Sequence, residues 1–396
     1  MSNEKQIVPF VPLNDQGNLL AAIALSIVMV GGAAMAVMAW RAEPPTAAAQ
    51  SESESATAKQ RGPLMAFLKG DTTAAVSRKL EQQLPLRTRF IGLANSLRYL
   101  VFRGGGDEVK VGSSGWLYLT EEYRAGRDDA ENLRTRVKLL SNANTLLREQ
   151  GVALLVVPVP DKSRMQSSTV PALFGDNPHD SRYDDALNGL RAADVPVVDL
   201  REALALDNHV AGSTYYRTDT HWNQTGAKAA AAVVAKQAGA LGSCSAPTTY
   251  RTTAAGRDAS RPGDLIRMMG LDSVGNLWRP APDRERAETT AAVATESAGL
   301  GNSLFGDVAV DYVLTGTSFS LRGNFHGALQ QALACTVLNV AQDGAGFLDS
   351  TRSYLRDDAF KGSKPKVLIW EIPERFLTLP LDKESAWLVE SGLKTR

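Results

Sequence analysis

Two spacings of apolar residues alternate along this chain, and their alternation predicts an α/β fold. Val152-Ala153-Leu154-Leu155-Val156-Val157-Pro158-Val159-Pro160 is an almost unbroken apolar run, of the kind a parallel sheet buries on both faces. Before it, within Asp128–Gln150, Leu133, Val137, Leu140, Ala143 and Leu147 recur at helical spacing, and Gly151 stops the helix. The rhythm then repeats. A helix is expected over Tyr183–Ala193, a short strand over Val195–Leu200 and an alanine-rich helix over Thr225–Leu241. A strand over Val308–Leu314, a helix over Phe325–Leu333 and strands over Thr336–Val340 and Lys366–Ile372 complete the series. Val109–Tyr118 places turn residues before alternating aromatic and aliphatic positions and reads as a hairpin. Helices alternating with apolar strands predict a mainly parallel sheet flanked by helices. Residues 245–305 break the rhythm. They are polar and irregular, which predicts an insertion or loop region near the active face, with a helix over Arg284–Ala298.

The N-terminal pattern differs. Leu19 to Trp40 contains no charged residue. A run of about 22 residues spans roughly 33 Å as a helix, enough to cross a bilayer. Gly31-Gly32-Ala33-Ala34 near its middle suits a membrane helix. A cleaved signal peptide is the competing reading, but the stretch is long for one, and Ala47-Ala48-Ala49 is its only arguable cleavage site. The chain then divides into a short tail (1–18), an anchor (19–40), a tether (41–62) and a catalytic domain (63–396). The tether is Ala, Ser, Glu and Pro with almost no bulky apolar residue. Residues 63–103 alternate apolar and basic positions, with Phe90, Leu93, Leu97 and Leu100 at helical spacing, and predict the helices that open the domain. The charges flanking the apolar run do not decide orientation. A short tail before a single anchor is the usual signal-anchor arrangement, with the large part outside the cytoplasm.

Composition narrows this reading without redirecting it. The 396 residues are 44% hydrophobic and 22% charged, ordinary values for a globular protein. With 43 basic and 43 acidic residues the net charge is zero, and nothing marks a nucleic-acid-binding surface. Two cysteines, Cys244 and Cys335, either pair in an oxidising compartment or stay as buried thiols. No zinc-type cysteine spacing exists, and no cofactor is expected.

The chemistry centres on Asp219-Thr220-His221-Trp222. A carboxylate two residues from an imidazole can orient it and stabilise its charged form, as a general base requires before it activates a serine. The chain has only four histidines (His179, His209, His221 and His326), so few residues fit the base role. About a hundred residues later, Val313-Leu314-Thr315-Gly316-Thr317-Ser318-Phe319-Ser320 reads as a strand ending in a small-residue turn. Sites in open α/β sheets form beyond such strand ends, and Gly316 permits the sharp turn that presents a hydroxyl. Ser318 is the first candidate nucleophile and Ser320 the second. The bland alternatives are a capping or turn serine, a helix cap at Asp219 or Thr218, and an Asp-x-His metal pair. No third or fourth ligand stands at motif spacing, so no metal is expected.

Together these segments resemble the alginate O-acetyltransferase family, periplasmic SGNH hydrolase-like proteins that O-acetylate exported polysaccharides. The likeness rests on Gly115-Trp116-Leu117-Tyr118, Pro160-Asp161-Lys162, Tyr216-Arg217-Thr218-Asp219-Thr220-His221-Trp222-Asn223-x-x-Gly226, Gly316-Thr317-Ser318-Phe319-Ser320 and Trp370-Glu371-Ile372-Pro373-Glu374-Arg375. These blocks run in the family's order over about residues 100–380. The resemblance implies an SGNH-like fold with circularly permuted motif order and a triad of Ser318, His221 and Asp219. Ser318 would take acetyl from a donor, and a sugar hydroxyl deprotonated by His221 would accept it. The Ser318 N–H is the implied oxyanion donor, with Arg322 and Asn324 as candidate side-chain helpers and Arg322 equally readable as a surface cation. Tyr215, Tyr216, Trp222 and Trp116 would stack on sugar or belong to the core. Lys162 would bind an acidic sugar or cap its strand, and Trp370-Glu371 has the same ambiguity. The chain ends too soon after Arg375 for a carbohydrate-binding module, which implies the membrane-anchored, single-domain type in a bacterial inner membrane with its catalytic domain in the periplasm. Its partners would be the polysaccharide, a multi-span membrane protein supplying acetyl, and an export and acetylation complex. The alternatives are an SGNH-type carbohydrate esterase, in which water replaces the sugar, and a non-catalytic subunit of such a complex.

Overall fold

The computed structural model describes residues 87–205, 212–293 and 310–381. The expected tail, anchor and tether lie outside these residues, as do residues 63–86 and His209. Among the described residues no helix is long and apolar enough to cross a membrane. The chain divides into Met1–Ile91, described only over Arg87–Ile91, and Gly92–Arg396, which holds the sheet and the site.

Helix α1 (Arg87–Phe102) leads to a hairpin of β1 (Val109–Val111) and β2 (Leu117–Leu119). Then come α2 (Asp129–Glu149), β3 (Ala153–Val159), α3 (Arg182–Ala192) and α4 (Gln224–Leu241). Four short strands follow: β4 (Tyr250–Ala254), β5 (Ala259–Arg261), β6 (Asp283–Glu285) and β7 (Glu288–Ala292). The last elements are β8 (Tyr312–Thr315), α5 (Phe325–Leu333), β9 (Val337–Asn339), α6 (Asp349–Arg356) and β10 (Val367–Pro373).

The main sheet has the order β3–β10–β8–β9, and every pairing is parallel. Its strands are mainly apolar because helices cover both faces; the exceptions, Thr315, Asn339 and Glu371, lie toward the carboxyl ends. Leu155, Val157, Leu314 and Ile369 point to one face, where the small Ala227, Ala230 and Ala231 bring α4 close and α5 adds Phe325 and Leu329. Leu154, Val156, Val313, Leu368 and Trp370 point to the other, against Leu139, Leu140, Ala143 and Leu147 of α2 and Leu190 of α3. Each fully buried Leu or Val contributes about 1.5–3 kcal/mol. A smaller core joins β1 and β2 to Tyr99 of α1 and to Leu265, Ile266 and Leu271.

Two expectations fail. Val195–Leu200 is not a strand; only Val197 pairs with Val156, as a single parallel bridge. Pro196 has no N–H to extend the ladder, and the Asp199 carboxylate takes the Arg201 N–H at 3.0 Å to begin the next turn. Arg284–Ala298 is not a helix over its described part. β6 pairs antiparallel with β5 and β7 with β4, so the polar insertion contains two two-stranded ribbons. Its period-two burial, with intermediate Glu288 and Thr290 alternating with exposed Thr289 and Ala291, is that of a half-covered strand.

Cys244 and Cys335 are disulfide-bonded, with Cα atoms 6.0 Å apart, and tie the segments after α4 and α5 together across 91 residues. Replacing both by alanine should lower the urea-unfolding free energy by about 2–4 kcal/mol, because the closed loop is long. Unchanged stability would contradict a structural role for this crosslink.

Candidate active site

The segment around His221 is a tight hairpin. Tyr215 and Trp222 form an antiparallel bridge, and the Tyr216 N–H donates to the His221 carbonyl at 3.1 Å. Asn223 then caps α4 by accepting from the Gly226 N–H at 3.0 Å. A Cβ on Gly226 would stand 2.1 Å from the Thr214 carbonyl, so only glycine lets α4 start this close to the hairpin. The cap is Asn223, not Asp219 or Thr218, which leaves the Asp219 carboxylate free to face the imidazole.

The second segment follows β8. Gly316 has φ 147°, and a Cβ there would meet the Glu371 carboxylate at 2.5 Å. Glu371, from β10, lies buried beneath the turn and accepts from the Thr317 N–H (2.7 Å), the Thr317 hydroxyl (3.0 Å) and the Ser320 hydroxyl (3.1 Å). Ser320 is thereby committed to the core. Ser318 begins a short 3-10 helix (Ser318–Leu321) with its hydroxyl free to turn the other way.

The two segments meet edge to edge. His221 Nε2 lies 2.7 Å from Ser318 Oγ, and His221 Nδ1 lies 2.6 Å from Asp219 Oδ1. The Trp222 indole N–H donates to the Phe319 carbonyl at 3.1 Å, and the Phe319 ring packs at 4.8 Å from the imidazole. The remaining described histidines have structural partners: His179 Nε2 pairs with the Arg124 carbonyl and His326 Nε2 with the Val337 carbonyl.

Several groups that no motif announced hold the Asp219 loop. Asp283 of β6 accepts from the Arg217 and Thr218 N–H groups at 2.9 and 2.8 Å. Asp264 accepts from the Thr220 N–H and hydroxyl at 2.8 and 2.5 Å. Arg261 stacks 4.1 Å over the Tyr216 ring, pairs with Glu285 at 3.0 Å and reaches Asp219 Oδ2 at 3.5 Å. All come from the insertion, whose polar composition hid its pairing. Asp264 also supplies the third ligand-type atom that motif spacing lacked, within 4.8 Å of the Asp219 and His221 atoms. Its oxygens are taken by Thr220, and Asp219 Oδ1 by the imidazole, so the set is wired as a hydrogen-bond network.

Other candidates fall elsewhere. Lys162 is buried, and its ammonium donates to the carbonyls of Leu117, Arg217 and Asp219 at 2.6, 2.9 and 2.9 Å. With three donors spent it braces the site and cannot also grip an acidic sugar. Trp222 is 0% exposed and Tyr215 1%, so neither offers a face to a sugar. Tyr216 donates its hydroxyl to Glu285 at 2.5 Å and lines a cleft of about 450 Å³. Arg322 and Asn324 line the same cleft. Arg322 pairs at the surface with Asp343 at 2.7 Å, and the Asn324 amide donates to Thr290 at 2.9 Å.

Electrostatics match this wiring. Burial pushes the Asp219 carboxyl up, but the His221 hydrogen bonds and charge, with Arg261, hold it well below the usual carboxylate range. Burial dominates at Glu371, which is raised despite its bonds from Thr317 and Ser320. Burial also brings the Lys162 ammonium down to about 8, opposed by Glu122 and Asp283.

Comparison with known proteins gives one consistent answer. A family model described as an SGNH hydrolase-like domain, acetyltransferase AlgX, matches residues 109–374. The probable alginate O-acetylase AlgJ of Pseudomonas aeruginosa is 31% identical over 329 residues, which cover 80% of this chain and 82% of that protein. Its counterpart in Pseudomonas syringae pv. tomato is 34% identical over 336 residues, 82% of this chain and 83% of the relative. A solved structure, the O-acetyltransferase domain of Pseudomonas putida AlgJ, is 32% identical with a TM-score of 0.62, covering 72% of this chain and all but 1% of that one.

The depressed Asp219 value has a consequence for acid stability. Because the folded value lies below the unfolded one, the stabilisation is complete above about pH 4 and is lost as pH falls further. Asp219→Asn should flatten the fall in unfolding free energy below about pH 4, measured by urea titration. An acid slope equal to that of the parent would contradict the ion pair.

Proposed function

We propose that this chain, which belongs to the SGNH hydrolase-like AlgX acetyltransferase family, moves acetyl groups onto hydroxyls of an exported, alginate-like polysaccharide using Ser318, His221 and Asp219. It is an acetyltransferase. The observation that carries the roles is the pair of contacts at His221: 2.7 Å from Nε2 to the serine hydroxyl and 2.6 Å from Nδ1 to the carboxylate.

The sequence of events follows from those contacts. His221 accepts the Ser318 proton as the oxygen attacks the donor's acyl carbon. Asp219, ionised and fixed, stabilises the resulting imidazolium. The negative charge gathering on the acyl oxygen needs N–H donors already in place. The Ser318 N–H, at the start of its 3-10 turn and without an acceptor among the described residues, is one such donor. Collapse of the tetrahedral species expels the donor's leaving group, protonated by His221, and leaves acetyl on Ser318. A sugar hydroxyl then binds, gives its proton to His221 and attacks the acetyl carbon; the Ser318–acetyl bond breaks and His221 returns the proton to the departing Ser318 oxygen. The serine block following the Asp-His block is consistent with a circular permutation of the SGNH order, since a triad depends on geometry alone.

The cleft beside Asp219 is the sugar-binding region in this reading. Arg261, Arg267 and Arg322 line it, and Arg267 makes no ion pair among the described residues. A guanidinium in that position suits the carboxylate of a uronic acid. The apolar run over residues 19–40 would anchor the chain in a bacterial inner membrane, with the domain in the periplasm, where the Cys244–Cys335 disulfide can persist. Activated acetyl is made in the cytoplasm, and one apolar run is too little to carry it across. A multi-span membrane protein in a polysaccharide export and acetylation complex would deliver it.

The test is acetyl transfer by the protein from an acetyl ester to an oligosaccharide of uronic acids, followed by mass. Acetyl should appear on the Ser318 peptide and then on the sugar, and Ser318→Ala should reduce transfer by roughly 10⁴-fold or more. Release of free acetate with no sugar product would make the protein an esterase. Undiminished transfer by Ser318→Ala would remove the proposed nucleophile.

A further inference from the structure

Helix α1 packs against the domain with the wrong residues for an ordinary amphipathic helix. Its inner face is Gly92, Ser96 and Tyr99, all buried. A Cβ on Gly92 would stand 2.7 Å from the Val274 side chain, and the Ser96 hydroxyl is spent on the Gly92 carbonyl at 2.8 Å. This small-residue face fits closely and fixes how the helix is turned. At 3.6 residues per turn, Leu93, Leu97, Leu100 and Val101 then fall within an arc of about 100° on another side. They are 51%, 57%, 42% and 60% exposed, and Phe102 at the helix end is 75% exposed. A soluble helix places such residues inward. Here the packing of Gly92 and Ser96 holds them out, as a contiguous apolar stripe rather than scattered single residues.

Two further observations say what covers the stripe. From Arg87 to Gly106 the sequence carries Arg87, Arg89, Arg98 and Arg103 and no Asp or Glu. The helix is also the first described element after the apolar run at residues 19–40, so among the described residues it is the part of the domain nearest in sequence to the anchor. Exposed apolar residues on one side, with arginine and no acid in the same stretch of sequence, is the composition of a helix lying in the headgroup region of an anionic bilayer. We infer that α1 is a membrane-surface docking element: Leu93, Leu97, Leu100, Val101 and Phe102 enter the bilayer interface, and the net positive charge of the stretch favours anionic headgroups. This rests on the anchored reading and extends it. One anchor fixes only where the domain is tethered, whereas a second, interfacial contact limits how the domain is turned relative to the membrane.

Site-directed spin labelling of the full chain in vesicles tests this directly. Both natural cysteines are in the disulfide, so an introduced cysteine is the single labelling site. Leu97→Cys and the exposed reference Lys361→Cys would each be labelled and reconstituted into vesicles of phosphatidylglycerol and phosphatidylcholine. Flotation with the vesicles reports the anchor, independently of the label. In floated protein, collisions with oxygen and with a water-soluble nickel complex report the surroundings of position 97. Oxygen should be favoured over nickel several-fold more at position 97 than at position 361, and less so in phosphatidylcholine alone. Nickel collisions as frequent as at position 361 would show a stripe in open water and overturn the inference. Shielding from both reagents would show protein on the stripe, whether another segment, a second copy or the multi-span partner, and would overturn it too. So would an oxygen preference indifferent to lipid charge.

Discussion

An ionised carboxylate that is only 5% exposed persists only where opposite charge and N–H donors replace its lost hydration. For Asp219 those replacements come from four directions. The imidazole and the His221 N–H lie on one oxygen at 2.6 and 3.0 Å. The Asp264 N–H and Arg261 approach the other at 3.3 and 3.5 Å. Lys162 holds the backbone carbonyl of the same residue, so the loop cannot drift from its partners. Remove this cage and the carboxyl would take up a proton or turn to solvent. Either change would leave the imidazole without its fixed orientation or its compensating charge.

The serine half of the site is fixed by a different acid. Glu371 stands on β10, the strand between β3 and β8, and gathers Thr317 and Ser320 beneath the turn. That arrangement explains why two serines two residues apart have opposite fates: one hydroxyl is needed to satisfy the buried carboxylate, and the other is left to face His221. The Trp222 indole joins the halves through the Phe319 carbonyl. Behind the site, Glu374 takes the Asp161 N–H and the Arg164 guanidinium, which links the loop after β3 to the end of β10. The polar residues of the recurrent blocks thus serve largely to position one another, and few of them are available to touch a substrate.

The sheet strands were legible because each is mainly apolar, and helix Phe325–Leu333 because its period and its flanks agree. Asp219, His221 and Ser318 stood out because their residue types have few other reasons to recur in that order. What the sequence concealed was pairing between distant polar segments. Nothing local in Asp283 or Glu285 tells a ribbon strand from a solvated helix, and only contact with Arg217, Thr218 and Tyr216 gives them a purpose. Lys162 and Trp222 misled in the opposite sense. Their chemistry suits sugar binding, but their surroundings supply three carbonyls to one and a carbonyl with two aromatic rings to the other. Residue type proposes a role, and burial decides it.

The proton relay is most directly tested by treating the protein with a sulfonyl fluoride and mapping the modified peptide by mass. Such reagents modify a serine only where a base activates it. A single adduct on Ser318, absent from Ser320 and abolished in His221→Ala, is the expected result. No adduct on Ser318, or one that forms as readily without His221, would contradict the relay on which the proposed chemistry stands.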